Sequence, residues 1–248
     1  MYNLPLRGMR VQKVVYINDL RELPHGRMLI TDGNSSVLYK VSPHIYYKKF
    51  GERYIRLDED KKQELMNFLE YILDIEAKNY VAPMTLYRSE DRLYGYTIVK
   101  VPGKNLDHVS KRTKVSEFIE RIDEMKETMR VLADKRVVLS DVNMSNIIYN
   151  KSFFLIDIDN SYIDYTHSKD IIYLSNMNKF YMDVVNTLIS DMPEVLGRDC
   201  EFRERERLLG QGFNEDYKEM LIFMKNLLEN YYNKEIVTIN DFRKLTRR

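Results

Sequence analysis

A single cysteine, Cys200, occurs in the 248 residues of this chain. That count excludes an internal disulfide and a cysteine-rich zinc site, and it fits a reducing compartment. The four histidines, His25, His44, His108 and His167, show no paired metal-ligand spacing. Charge of one sign is also lacking, with Lys plus Arg at 39 against Asp plus Glu at 38 and a formal net charge of +1. No global field therefore points to nucleic acid or to an anionic membrane surface, although Arg243-Lys244-Leu245-Thr246-Arg247-Arg248 forms a local basic end. No apolar run reaches the ~18 residues of a membrane-spanning helix. The first residues, Met1-Tyr2-Asn3-Leu4-Pro5-Leu6-Arg7, lack the apolar centre of a signal peptide. A cytoplasmic location without a membrane partner is the expectation. Tryptophan is absent beside 19 tyrosines, a composition in keeping with an AT-rich bacterial or phage genome.

What is present is a globular composition, 44% hydrophobic, in a chain long enough for one two-lobed unit or two small domains. The first hundred residues read as a sheet with one helix. Val11 to Ile17 is β-rich. Arg27 to Thr31 and Ser36 to Val41 flank Asp32-Gly33-Asn34-Ser35, a hairpin signal, and Ile45 to Phe50 follows the Ser42-Pro43-His44 turn. Asp58-Glu59-Asp60 opens a helix whose Leu65, Phe68, Leu69, Ile72 and Leu73 recur at helical spacing. Val81 to Tyr87 and Leu93 to Val101 read as two further strands around Ser89-Glu90-Asp91-Arg92.

From Lys104 onward the pattern becomes helical. Val115, Phe118, Ile119, Ile122, Met125, Met129 and Leu132 form one apolar stripe, and two more helices are predicted near Asn178 to Ser190 and Asp216 to Tyr232.

Between these helices lies the stretch that carries chemistry. Asp141-Val142-Asn143-Met144-Ser145-Asn146 is followed, after a short turn, by Phe154-Leu155-Ile156-Asp157-Ile158-Asp159. An acid, an amide and a second acid at this spacing suit phosphoryl transfer, in which a protein positions a hydroxyl, holds magnesium and neutralises charge.

These residues resemble the protein-kinase-like superfamily, of bacterial or phage type. Leu139 to Ile148 is similar to its H-R-D-x-K-x-x-N catalytic loop, and Leu155-Ile156-Asp157-Ile158-Asp159 to its D-F-G segment. The histidine and arginine are replaced by Leu139 and Ser140, the lysine by Asn143 and the D-F-G glycine by Asp159. Small-molecule kinases of the aminoglycoside and choline type also commonly lack that lysine.

The resemblance implies an α+β, two-lobed fold: residues 1–101 as a five-stranded antiparallel sheet with one helix, residues 102–248 as a mostly helical lobe. It implies ATP and magnesium as cofactors. Asp141 would accept the acceptor hydroxyl's proton; Asn146 and Asp157, with Asp159 as a further carboxylate, would ligate the metal. Lys48, in Ile45-Tyr46-Tyr47-Lys48-Lys49-Phe50, would hold the α and β phosphates, with Glu70 or the competing Glu64 as its partner. Gly33, Asn34 and Ser35 would offer amides over the phosphates. Val99, Lys100 and Val101 would form the hinge, and Ile148 would also line the nucleotide.

The expected partners are a nucleotide and a hydroxyl acceptor, either protein Ser/Thr or a small molecule, with no nucleic acid. Ser161, Tyr165, Thr166 and Ser168 are candidate autophosphorylation hydroxyls. Two other readings remain open from the residues: a pseudokinase acting as a nucleotide-binding or scaffolding module, and an unrelated α+β fold with coincidental motifs.

Overall fold

The computed structural model describes residues 13–32, 36–212 and 216–247. The chain is α+β and divides into two compact units. The first takes the described residues up to Ile75 together with Val81–Val101, and the second takes Glu76–Tyr80 and Pro102 onward.

The first unit contains β1 (Val14–Tyr16), β2 (Arg27–Asp32), β3 (Ser36–Lys40), β4 (Ile45–Phe50), α1 (Glu52–Ile55), α2 (Glu59–Ile72), β5 (Thr85–Arg88) and β6 (Leu93–Val99). The β2–β3, β3–β4 and β5–β6 pairs are antiparallel neighbours, as short polar turns between β-rich runs dictate. The sheet order is β1-β5-β6-β4-β3-β2. The expected five-stranded antiparallel sheet is thus corrected to six strands of mixed direction, because β1 adds to β5 in parallel, Val14 opposite Leu86. Two main-chain bonds close that edge, Leu86 N–H to the Lys13 carbonyl at 2.8 Å and Ile17 N–H to the Arg88 carbonyl at 2.7 Å. The segment read as a strand from Val81 becomes one only at Thr85.

Gly95, with φ of 156°, lies opposite Lys49 in β6. A Cβ there would sit 2.1 Å from the Lys48 carbonyl oxygen, so β4 and β6 meet through a position only glycine fills without distortion.

Asp58 caps α2 by accepting from Lys61 N–H at 2.8 Å. A helix of 14 residues is marginal alone; Met66, Phe68, Leu69 and Ile72 anchor this one by burial. Each such side chain contributes about 1.5–3 kcal/mol.

The second unit contains β7 (Lys104–Asn105), α3 (Val115–Ile119), α4 (Glu124–Asp134), β8 (Val137–Val138), β9 (Ile147–Tyr149), β10 (Phe153–Leu155), β11 (Tyr162–Ile163), α5 (Lys169–Leu188), α6 (Glu194–Arg198), α7 (Cys200–Gly210), α8 (Tyr217–Tyr232) and α9 (Ile239–Leu245). The apolar stripe read from Val115 to Leu132 is continuous in burial but broken in backbone. Between α3 and α4 the bonds tighten to the i−3 pattern, as in Ile122 N–H to the Ile119 carbonyl at 3.1 Å and Met125 N–H to the Ile122 carbonyl at 3.0 Å. The stripe converges with α5 on one core, where the Phe153 ring lies 4.9 Å from Phe118 and 5.2 Å from Phe180.

Glu76–Tyr80, which comes from between α2 and β5, is tied to β10. Leu155 N–H donates to the Asn79 carbonyl at 2.8 Å, Tyr80 bridges Leu155 in parallel, and the Asn79 side-chain amide donates to the Phe153 carbonyl at 2.6 Å.

Among the described residues, no helix is long and apolar enough to cross a membrane.

Candidate functional site

The second unit gathers the acid-amide-acid residues by a chain of local bonds. β8 delivers the chain to Leu139, and α5 holds it there. Asn176, 0% exposed, accepts from Leu139 N–H at 2.9 Å and donates to the Val137 carbonyl at 2.9 Å. Lys179, one turn closer to the α5 C-terminus, donates to the Leu139 carbonyl, and burial pulls its ammonium below the usual lysine range. The segment entering Asp141 is therefore fixed at both main-chain groups of Leu139.

Asn143 then starts a 3-10 turn over Met144–Asn146 by accepting from Ser145 N–H at 2.9 Å. The turn brings Asn146 back over Asp141, and its amide donates to the Asp141 carbonyl at 2.9 Å. β9 leaves immediately afterwards and pairs with β10, Ile147 opposite Leu155. One further bond, Ile156 N–H to the Asn146 carbonyl at 3.0 Å, extends that ladder. Asn146 is thereby set across from the residue preceding Asp157. Asp157 adopts a left-handed φ of 58°, a conformation uncommon for side-chain-bearing residues and enriched at Asp and Asn. It turns the chain sharply toward Asp159 and Asn160.

The Asp141 carboxylate accepts two amides, Asn143 Nδ2 at 2.8 Å on Oδ1 and Asn160 Nδ2 at 3.1 Å on Oδ2. Ser140 Oγ donates to the main-chain carbonyl of Asn160. Ser140 and Asn143 thus both bind groups of the loop itself.

Asp183, one turn beyond Lys179 on α5, is pushed up to about 6, first by burial and then by the Asp141 carboxylate. An unfolded aspartate ionises near ~3.9. Between that value and about 6 the folded chain keeps a proton that the unfolded chain releases, so stability falls as pH rises through this window and stays lower above it. Asp183→Asn is expected to match the natural protein below about pH 4 and to be more stable at neutral pH. Thermal unfolding at the two pH values checks this, and a difference independent of pH refutes it.

Tyr80 lies alongside the same loop through its bridge to Leu155. Tyr80 is 5% exposed, and among the described residues its hydroxyl has no hydrogen-bond partner. Burial, and then the charge of Asp159, raise its phenol above the usual tyrosine range. Among the described residues no group of three or more His, Cys, Asp or Glu side chains is arranged to hold a metal ion. A cation held by Asp157, Asp159 and the Asn146 amide would need the oxygens of a bound phosphate to complete its shell. That donor set fits magnesium, which takes one or two protein carboxylates and keeps phosphate and water.

In the first unit Lys48 is 9% exposed, with its ammonium 5.8 Å from the Tyr96 ring centroid, while Lys49 faces solvent. Glu70 has a partner other than the one expected: its carboxylate accepts from Arg88 on β5. Glu64 is exposed. Val99 ends β6 and Val101 is buried, while the Lys100 amide hydrogen is committed to the His44 carbonyl at 2.8 Å. Gly33, Asn34 and Ser35 lie outside the described residues.

Ile148, in β9 of the second unit, is half-buried against Gly103; a Cβ on that glycine would lie 2.7 Å from Ile148 Cγ2. Of the candidate phosphorylation hydroxyls, Ser168 caps α5, Thr166 donates to Asp164 at 2.6 Å, Ser161 is buried and Tyr165 is exposed.

Sequence reasoning missed Asn160, Asn176, Asp183 and Tyr80. Asn160 alone had a local signal, since it follows directly on Asp157-Ile158-Asp159.

No protein-family model matches the chain, and no curated protein matches it either.

Proposed function

We propose that the chain is a phosphotransferase of the protein-kinase-like type, transferring the γ-phosphoryl group of ATP to a hydroxyl on a protein or a small molecule. The observation that carries this reading is the stitching of Asp141, Asn146 and the residue before Asp157 by two bonds, Asn146 Nδ2 to the Asp141 carbonyl and Ile156 N–H to the Asn146 carbonyl.

In this reading Asp141 orients the acceptor hydroxyl and takes its proton on a carboxylate oxygen as the bond from the acceptor oxygen to the γ-phosphorus forms and the bond from that phosphorus to the β,γ-bridging oxygen breaks, releasing ADP. Asn146, Asp157 and Asp159 would hold magnesium, which when bound neutralises charge on the phosphates. Asn143 leaves the transferring group without the point charge a lysine would bring. The resemblance assigns Lys48 to the phosphates. A second reading, a nucleotide-binding or scaffolding module without turnover, draws on Glu70, whose carboxylate is engaged by Arg88.

Titration of purified protein with ATP, with magnesium and with a chelator, tests the proposal alongside transfer from γ-labelled ATP. Nucleotide affinity is expected to fall about tenfold or more on removal of the metal, and equally in Asp157→Ala. Metal-dependent binding without transfer to any acceptor favours the scaffold. Absence of metal-dependent binding overturns the phosphotransferase and the nucleotide-binding module, leaving only a scaffold that takes no nucleotide.

A further inference from the structure

We propose that Asn160 is a positioning residue for Asp141, holding the carboxylate in the orientation from which it receives the acceptor's proton; this rests on the phosphotransferase reading. A free aspartate side chain rotates broadly about its terminal torsion. Here that rotation is stopped, because Asn143 donates to Oδ1 at 2.8 Å and Asn160 to Oδ2 at 3.1 Å. Two donors on different oxygens fix the plane of a carboxylate where one leaves it free to turn. An ionised carboxylate offers about four lone-pair sites, so each oxygen keeps one for an incoming hydroxyl. Both donors are neutral amides and place no positive charge beside the base.

The side chain of Asn160 is separable from the fold around it. The main-chain carbonyl of Asn160, not its amide, accepts from Ser140 Oγ. Ser161 N–H donates to the Ile158 carbonyl at 2.9 Å, and β11 pairs with β8 two residues further on, Tyr162 opposite Val138. These main-chain ties persist whatever side chain stands at 160, so the loop keeps its course while the contact with Asp141 is removed. Asn160 also follows Asp159 directly. Its amide therefore spans from the candidate metal loop to the candidate base, setting one in register with the other.

The full chain carrying Asn160→Ala and, separately, Asn160→Asp tests the assignment. The aspartate keeps the shape of the asparagine but turns a donor into an acceptor facing Asp141. The natural protein, both variants and the natural protein with chelator are compared in γ-phosphoryl transfer or ATP turnover, KM for magnesium ATP and thermal unfolding. The alanine variant is expected to lose about tenfold in kcat and the aspartate variant about a hundredfold, the scale on which misplaced catalytic groups slow reactions. KM and the melting temperature stay close to those of the natural protein.

Unchanged kcat in either variant overturns the inference and leaves the phosphotransferase reading intact. A loss of kcat that travels with a raised KM or a lowered melting temperature also overturns it, since that pattern marks a loop-holding role. A natural protein without metal-dependent turnover overturns the phosphotransferase reading and the inference with it.

Discussion

Asp141→Asn is expected to slow γ-phosphoryl transfer by about 10²–10⁴-fold, the range that a positioned proton acceptor supplies. Affinity for magnesium ATP should stay within about twofold, because none of the proposed metal ligands is altered. The substitution is close to isosteric, and the loop keeps its shape because Asn146 bonds the main-chain carbonyl of residue 141 rather than its side chain. What is lost is the basic oxygen, together with one of the two amide contacts, since the new amide turns a donor toward either Asn143 or Asn160. Turnover and equilibrium nucleotide binding measured on the same preparation separate the two effects. Transfer at the natural rate would remove Asp141 from the chemistry, and loss of nucleotide binding would make it part of the binding apparatus instead.

The second large effect is expected at Asn176, away from the reacting groups. Its side chain is fully buried and satisfies the Leu139 N–H and the Val137 carbonyl, each at 2.9 Å. Asn176→Ala leaves both main-chain groups without that partner. Each buried group left unpaired costs about 1–3 kcal/mol. The second unit should therefore lose about 2–6 kcal/mol, with a fall in melting temperature of about 4–24 °C. Asn176→Leu restores the volume without the hydrogen bonds and should be destabilised to a similar degree, which distinguishes lost bonding from an unfilled space. Urea unfolding of the three proteins checks this. A cost below about 1 kcal/mol in both variants would show that the strand end finds other partners.

The parts of the fold legible in the sequence were those set by near neighbours. Asp32 to Ser36 and Ser42 to His44 mark the ends of β2, β3 and β4, because turn residues between alternating β-rich runs leave few other conformations. The parallel pairing of β1 with β5 was not legible: it joins Val14 to Leu86 across most of the first unit, and nothing in either segment specifies the other. The i−3 bonds between α3 and α4 were hidden because the apolar spacing continues through Ile122.

The site divides similarly. Asp141, Asn146 and Asp157 follow from spacing, since a 3-10 turn and a hairpin bring them together locally. Asn160 and Asn176 reach Asp141 and Leu139 from later in the chain, and only the registers of β11 on β8 and of α5 on the strand end decide which amide arrives. Glu70 illustrates the converse. Helical spacing left Glu64 and Glu70 both open, and the register of α2 against β5 supplied Arg88 as the partner.

The placement of Glu76–Tyr80 imposes an order on assembly as the chain is synthesised. These residues leave the ribosome before β5 and β6, yet the strand that receives them, β10, is made more than seventy residues later. The first unit has all of its strands once Val99 has emerged. Until Leu155 follows, Asn79 and Tyr80 have no strand to join, and the second unit closes by taking in a segment made long before it. A cut between Val101 and Pro102 would therefore not yield the two units whole, since the downstream fragment would leave the Leu155 amide without the Asn79 carbonyl.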